Sequence, residues 1–278
     1  MKTIESIAKT LKGKKVILRL DLNVPLQKKN ITDTNRIDKI IPTLTFLINN
    51  RAKILILSHV GRPKGKIIEG LSMSPICEYL QKKLSQKIHL IKTDINNLNK
   101  KDLFKNEKEN ILMLENLRFF NGEEENDILF AKQLASFGDL YVNDAFSCSH
   151  RKHASVCSIT KFIPSYAGIQ LSSEIRALRN ITKNIVRPVT CIIGGSKIST
   201  KINVIKNLIS KFDNLIFVGG MANNILKYKK FPIGKSVYEE NCENIVKDIF
   251  VSSKKSSCKL IFPTDVCVGK NLNDKGNI

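Results

Sequence analysis

The sequence predicts an α/β protein built from two doubly wound parallel-sheet domains, the second incomplete. Short apolar runs rich in Ile, Leu and Val recur along the chain, at residues 16–20, 54–57, 111–114, 189–193, 215–218 and 260–262. Segments with helical spacing lie between them, and strand alternating with helix implies parallel sheets covered by helices. One polar helical segment, stopped by a proline, divides the series in two.

Each apolar run is short and continuous, as expected for a strand buried on both faces. Residues 74–84 read as a helix because Ser74 can cap and Pro75 fits the first turn. Residues 92–110, rich in Lys and Asn, read as a solvated loop with a short helix. Residues 126–137 bring Phe130, Ala131, Leu134 and Ala135 onto one side of a helix, and residues 201–211 do the same with Ile202, Ile205, Leu208 and Ile209. Residues 173–184 carry only Ile175, Leu178 and Ile181 on an otherwise polar helix, followed by Val186, Arg187 and Pro188. So narrow a stripe, ended by Pro, suits a connector. The domains are therefore expected at 1–172 and 187–278, joined by 173–186. The second falls short of the usual 100–150 or so residues. It stops just after a strand without a closing helix, so a C-terminal part is expected to be missing.

The chain of 278 residues is 42% hydrophobic, enough for real cores, and carries a formal charge of +21. Seven cysteines stand singly, with no Cys-x-x-Cys pair, which fits reduced thiols in a cytoplasm. Neither a signal peptide nor a membrane-length apolar run is legible. The charge would suit nucleic acid, but aromatics make up 6% with no Trp, and the arginines stand at separate strand ends rather than along one stripe.

Those arginines define the chemistry. Arg36, the run His59, Val60, Gly61 and Arg62, then Arg118, and finally His150 with Arg151, each lie beside a strand end or loop. Successive strands of one sheet can deliver them to one crevice, where guanidinium forks bind a small polyanion. Asp21 and Asn23 follow the first strand and can touch a ligand there, or can merely shape the turn. Arg118 can alternatively pair with Glu115 or with the cluster at 123–125. Cys148, His150 and His153 invite a metal reading, but the intervening Arg151 and Lys152 would repel a cation. Gly194 and Gly195, then Ser196, Lys197 and Lys201, read as a glycine turn opening a helix, a backbone anion site. Lys197 and Lys201, four apart, would share a helix face and repel one another, which a bound phosphate would relieve.

Taken together and in order, the stretches 19–26, 31–37, 58–65, 114–119, 141–155, 194–201 and 218–222 resemble phosphoglycerate kinases. The resemblance implies an N-terminal domain binding 3-phosphoglycerate or 1,3-bisphosphoglycerate through Asp21, Asn23, Arg36, His59, Val60, Gly61, Arg62, Arg118 and Arg151. It implies a C-terminal domain binding ADP or ATP through Gly195, Lys197, Lys201, Gly219 and Gly220. Magnesium is implied too, although the family's magnesium ligand matches no residue here. Ser147, Cys148 and Ser149 replace the family's usual Gly-Thr-Ala, one small set for another. The expected activity is reversible phosphoryl transfer by a cytoplasmic monomer, with Arg36 and Lys197 meeting the transition-state charge and closure about residues 173–184 expelling water. The rival is a non-catalytic phosphoglycerate-binding fragment.

Overall fold

A computed structural model describes residues 1–27, 30–106, 109–183, 185–267 and 269. The predicted connector reaches Asn184, which lies outside the described residues, as do residues 270–278 at the expected cut. The chain forms two compact units, Met1–Ala177 and Leu178–Ile278.

In the first unit β1 is Lys15–Leu20, followed by a small hairpin of β2, Leu26–Gln27, and β3, Asn30–Ile31. Helix α1 (Asn35–Asn49) leads to β4 (Lys53–Leu57), and α2 (Ser74–Leu84) to β5 (His89–Ile91) and β6 (Ile111–Leu114). Then come α3 (Asn121–Glu124), α4 (Ile128–Ser136), β7 (Leu140–Asp144), β8 (Ser165–Ala167) and α5 (Ile169–Thr182), whose residues from Leu178 on belong to the second unit. Six strands pair in parallel in the order β5-β6-β4-β1-β7-β8. The chain winds outward from β1 in one direction, then returns to lay β7 on β1's other side. The C-terminal end of β1 is thus a topological switch point, where α/β sheets bind ligands.

The alternation of side chains explains why the central strands of this sheet are mostly apolar on both faces. Val16, Leu18 and Leu20 of β1 join Ile54 and Ile56 of β4 in one core, under α1 and α2. Ile17, Leu55, Leu57 and Tyr141 face the other core, with Phe130, Ala131, Leu134 and Ala135 of α4. Residues 92–110 do more than the predicted solvated loop. Two 3₁₀ turns, Ile95–Asn97 and Lys100–Asp102, help bury Ile95, Leu98, Leu103 and Phe104 in the second core.

The second unit contains β9 (Thr190–Gly194), α6 (Ile202–Ile209), β10 (Asn214–Val218), α7 (Gly220–Tyr228), α8 (Glu243–Ser256) and β11 (Lys259–Ile261). Its parallel sheet runs β11-β10-β9. Both crossovers step the same way, and right-handed crossovers then put every helix on one face. Ile193, Leu215 and Phe217 face those helices, while Ile192 is 67% and Val218 39% exposed on the other side. Burial on both faces, expected for every run, therefore fails here among the described residues.

Candidate functional site

The loops that leave β1, β4, β6 and β7 are bonded to one another. Asp21, just past β1, accepts two hydrogen bonds from Arg36 Nη1, at 3.1 and 2.8 Å, and one from the Ser147 hydroxyl beyond β7. Its Oδ1 also accepts from the Asn23 amide at 3.2 Å, so Asp21 shapes the turn as well as pairing with Arg36. Asn23 Oδ1 accepts from the Gly61 amide at 2.9 Å, and the Gly61 carbonyl accepts from Arg118 Nη1 at 2.7 Å. Gly61 is needed there: its φ is 63°, and a Cβ would come within 2.8 Å of Leu71 Cδ2.

The predicted residues enter this arrangement differently. Arg36 opens α1 rather than ending a strand, with its side chain 49% exposed. Arg118 is buried, its Nε 3.2 Å from Glu124 Oε1, near enough for charge attraction yet not aligned as a hydrogen bond. The ion pair expected within 123–125 therefore exists alongside the Gly61 contact. Val60 sends its side chain into the first core and offers the site only backbone, whose carbonyl already accepts from Asn116 Nδ2. Arg62 is exposed and Arg151 half-buried. Of the residues with a metal reading, Cys148 and His153 are buried and His150 exposed.

Beneath these groups lies a buried polar layer that sequence reasoning missed. Arg19, fully buried in β1, sends Nε to Ser155 Oγ at 2.9 Å and Nη2 to His59 Nδ1 at 2.9 Å. Ser155 Oγ donates to Glu123 Oε1 at 2.7 Å, and the Ser155 amide donates to Oε2 at 2.9 Å. Burial favours the neutral form of Glu123, but His153, the charge of Arg19 and the Ser155 donors prevail and hold its pKa below the ordinary value. Burial, reinforced by Arg19, Arg118, His153 and Arg151, pushes His59 down to about 2. Burial also pulls Arg118 below its usual value, with Glu124 opposing. A signal was available: Arg19 interrupts an otherwise apolar strand, and a buried charge must have partners.

In the second unit the glycine turn after β9 meets the one after β10. Gly219 has φ 61°, and the Met221 amide donates to the Gly195 carbonyl at 2.8 Å. A Cβ on Gly220 would stand 3.0 Å from that carbonyl, so the glycines permit close backbone packing. Lys197 lies in the loop, Ser199–Lys201 is a 3₁₀ turn, and α6 starts only at Ile202. The helix face that Lys197 and Lys201 were expected to share is not formed. Nor is the Ser199 amide free for an anion: it donates to Glu239 at 3.0 Å, and the Ser199 hydroxyl binds the same carboxylate. Those donors hold Glu239 below its ordinary pKa. Glu239 is itself anchored where its amide donates to Asn224 Oδ1 at 2.7 Å. Lys197, Lys201, Gly195 and Gly219 are exposed. Among the described residues, no three His, Cys, Asp or Glu side chains gather to hold a metal ion, and no helix is long and apolar enough to cross a membrane.

Comparison with known proteins places this arrangement in context. The family described as phosphoglycerate kinase matches residues 4–277. The phosphoglycerate kinase of Wolbachia sp. subsp. Drosophila simulans is 43% identical over 261 residues, covering 94% of this chain and 65% of its own length. That of Orientia tsutsugamushi is 44% identical over 263 residues, covering 95% and 64%. The phosphoglycerate kinase structure from Coxiella burnetii superposes with a TM-score of 0.83 at 36% identity, covering 96% of this chain and 68% of that one. That from Pyrococcus horikoshii gives 0.79 at 25% identity, with the same coverage. The chain thus spans about 65% of the length of the curated relatives it matches.

Proposed function

The chain belongs to the phosphoglycerate kinase family, and from that premise we propose that its first unit binds 3-phosphoglycerate or 1,3-bisphosphoglycerate and its second unit binds ADP or ATP. The reaction is then reversible transfer of a phosphoryl group from the acyl phosphate to ADP, carried out by a cytoplasmic monomer. The observation that carries this reading is the linkage of four strand-end loops at the switch point of the first sheet, with Arg36, Arg118, Arg151 and His59 around it. A small polyanion would add negative charge among groups already held in place. Phosphoryl transfer asks for such positioning and charge neutralisation more than for covalent help.

In this reading Asp21 and Asn23 orient the ligand's hydroxyl and carboxylate, while Arg36 neutralises charge beside the reacting carboxylate. Arg62, Arg118 and Arg151 take the far phosphate. Gly61 and Val60 offer backbone. On the second unit Lys197 and Lys201 meet nucleotide phosphates, beside Gly195, Gly219 and Gly220. Magnesium would supply charge neutralisation on the nucleotide, but the described residues present no carboxylate cluster for it.

Two measurements test the proposal. Calorimetric titration with 3-phosphoglycerate should show one site, lost in Arg151→Ala. A coupled ATP-formation assay should show turnover in a version extended to the relatives' length. Absence of 3-phosphoglycerate binding would sink the reading of the first unit, and binding without turnover in the extended version would favour the non-catalytic alternative.

A further inference from the structure

We infer that Arg19, balanced by Glu123 across Ser155, is a positioning residue that locks His59 into the tautomer carrying its proton on Nε2. The inference rests on the proposed phosphoglycerate site, because its consequence is that His59 offers that site a fixed N–H donor. A guanidinium has five donors, no acceptor and no accessible deprotonated form, so the nitrogen it faces at 2.9 Å must be the accepting one. Arg19 cannot turn away, because its other arms are occupied by Ser155 Oγ, the Leu20 carbonyl and, at 3.5 Å, Ser58 Oγ.

Glu123 explains why the arrangement tolerates burial. Arg19 and Glu123 are fully buried, and the Ser155 hydroxyl stands between them, accepting from one and donating to the other. A second donor, the Ser155 amide, reaches the same carboxylate. Arg19 is thus neutralised from below while its outer arm faces the imidazole. The charged and titratable groups acting on His59 are Arg19 from β1, Arg118 after β6, and Arg151 and His153 after β7. None is an anion, and all disfavour a second proton on the ring. A lone histidine would switch between charged and neutral forms near neutral pH; this one is held as a neutral donor.

Nitrogen-15 spectra of the His59 ring in the full chain test the inference without any ligand. One pyrrole-like and one pyridine-like nitrogen, unchanged between about pH 5 and 8, are expected. Averaged tautomers or a protonated ring in that range would overturn it, whatever the chain binds. Arg19→Lys keeps the charge and removes the fork, and should mix the tautomers and weaken 3-phosphoglycerate binding tenfold or more. If that variant does not fold, Ser155→Ala cuts the link to Glu123 and should produce the same change in milder form. An unaltered His59 spectrum in the folded variant would also overturn the inference. A locked tautomer in a chain that binds no 3-phosphoglycerate would uphold the role of Arg19 and refute the ligand assignment instead.

Discussion

The two basic regions hold their cations in opposite ways. In the first unit, Arg118 and Arg19 are buried, His59 is neutral, and the loops carrying them are bonded to one another and to Glu123 and Asp21. In the second, Lys197 and Lys201 stand exposed on a loop and a 3₁₀ turn tied down chiefly by the Glu239 carboxylate. Arginines fixed by second contacts lose little freedom when a ligand arrives, whereas free lysine side chains must be ordered at that moment. On the proposed reading, the buried part of the first region is preorganised for a rigid small anion. On the same reading, the second would gather its ligand's charge as it binds.

The sharpest way to break this contrast is to remove the charge on which the first region rests. Glu123→Ala strips Arg19 of its buried counter-charge and should cost about 3–5 kcal/mol in the first unit. Urea unfolding read by hydrogen exchange should show the loss in residues of the first sheet and leave β9, β10 and β11 unchanged. A loss under 1 kcal/mol, on the order of a surface substitution, would mean that the network is not essential to the fold. Arg36→Ala comes next. It should weaken 3-phosphoglycerate binding by about 1.5–3 kcal/mol, the range for charged hydrogen bonds, and unchanged affinity by calorimetry would remove Arg36 from the site.

Acid should separate the regions as well. The folded chain keeps His59 unprotonated down to about 2, whereas the unfolded chain protonates near 6.5. The unfolded state therefore binds more protons, and stability falls as pH drops below that value, by about 2 kcal/mol at about pH 5. Glu239 has a depressed pKa, so its contribution is present above the ordinary carboxylate range and is lost progressively as pH falls from that range to its lower folded value. Between about pH 6.5 and 5 the first unit should lose stability while the second stays level. His59→Gln should flatten the first unit's profile. A profile equally steep in that variant would assign the slope to other groups.

The smallest effect expected is on rate. In a version extended to the relatives' length, Lys197→Ala should lower kcat by about tenfold, or 1.4 kcal/mol, with a lesser rise in nucleotide KM, because its charge is used mainly in the transition state. Steady-state kinetics showing only a raised KM would return Lys197 to ground-state binding.

Part of this architecture is legible in the sequence. Helix α2 was read at its observed bounds because Ser74, Pro75 and the apolar spacing agree locally. The central strands β1, β4 and β6 are legible because a strand buried on both faces is mostly apolar. Strand β7 is not, since Leu140–Asp144 reads Leu-Tyr-Val-Asn-Asp, and its polar end bonds to neighbouring segments: Asn143 accepts from the Ala145 amide and Asp144 from the Leu171 amide. Helix α1, which carries Arg36, is not picked out by the sequence reading either. In the second unit the sequence marks the glycine turn but points to a helix that begins too early, because nothing local announces that Glu239, forty residues on, takes the Ser199 donors.

What the sequence determined by itself is what short-range chemistry controls: the alternation of strand and helix, the turns that demand glycine, and the basic residues beside strand ends and loops. Family membership followed from the order of those motifs. The tertiary structure alone decided which polar groups meet across the fold. Arg19 and Glu123 lie far apart in the chain and bear no local mark of their partnership through Ser155. A buried charge is tolerated only where distant segments supply its partners, so its role becomes readable only once the sheet has brought those segments together.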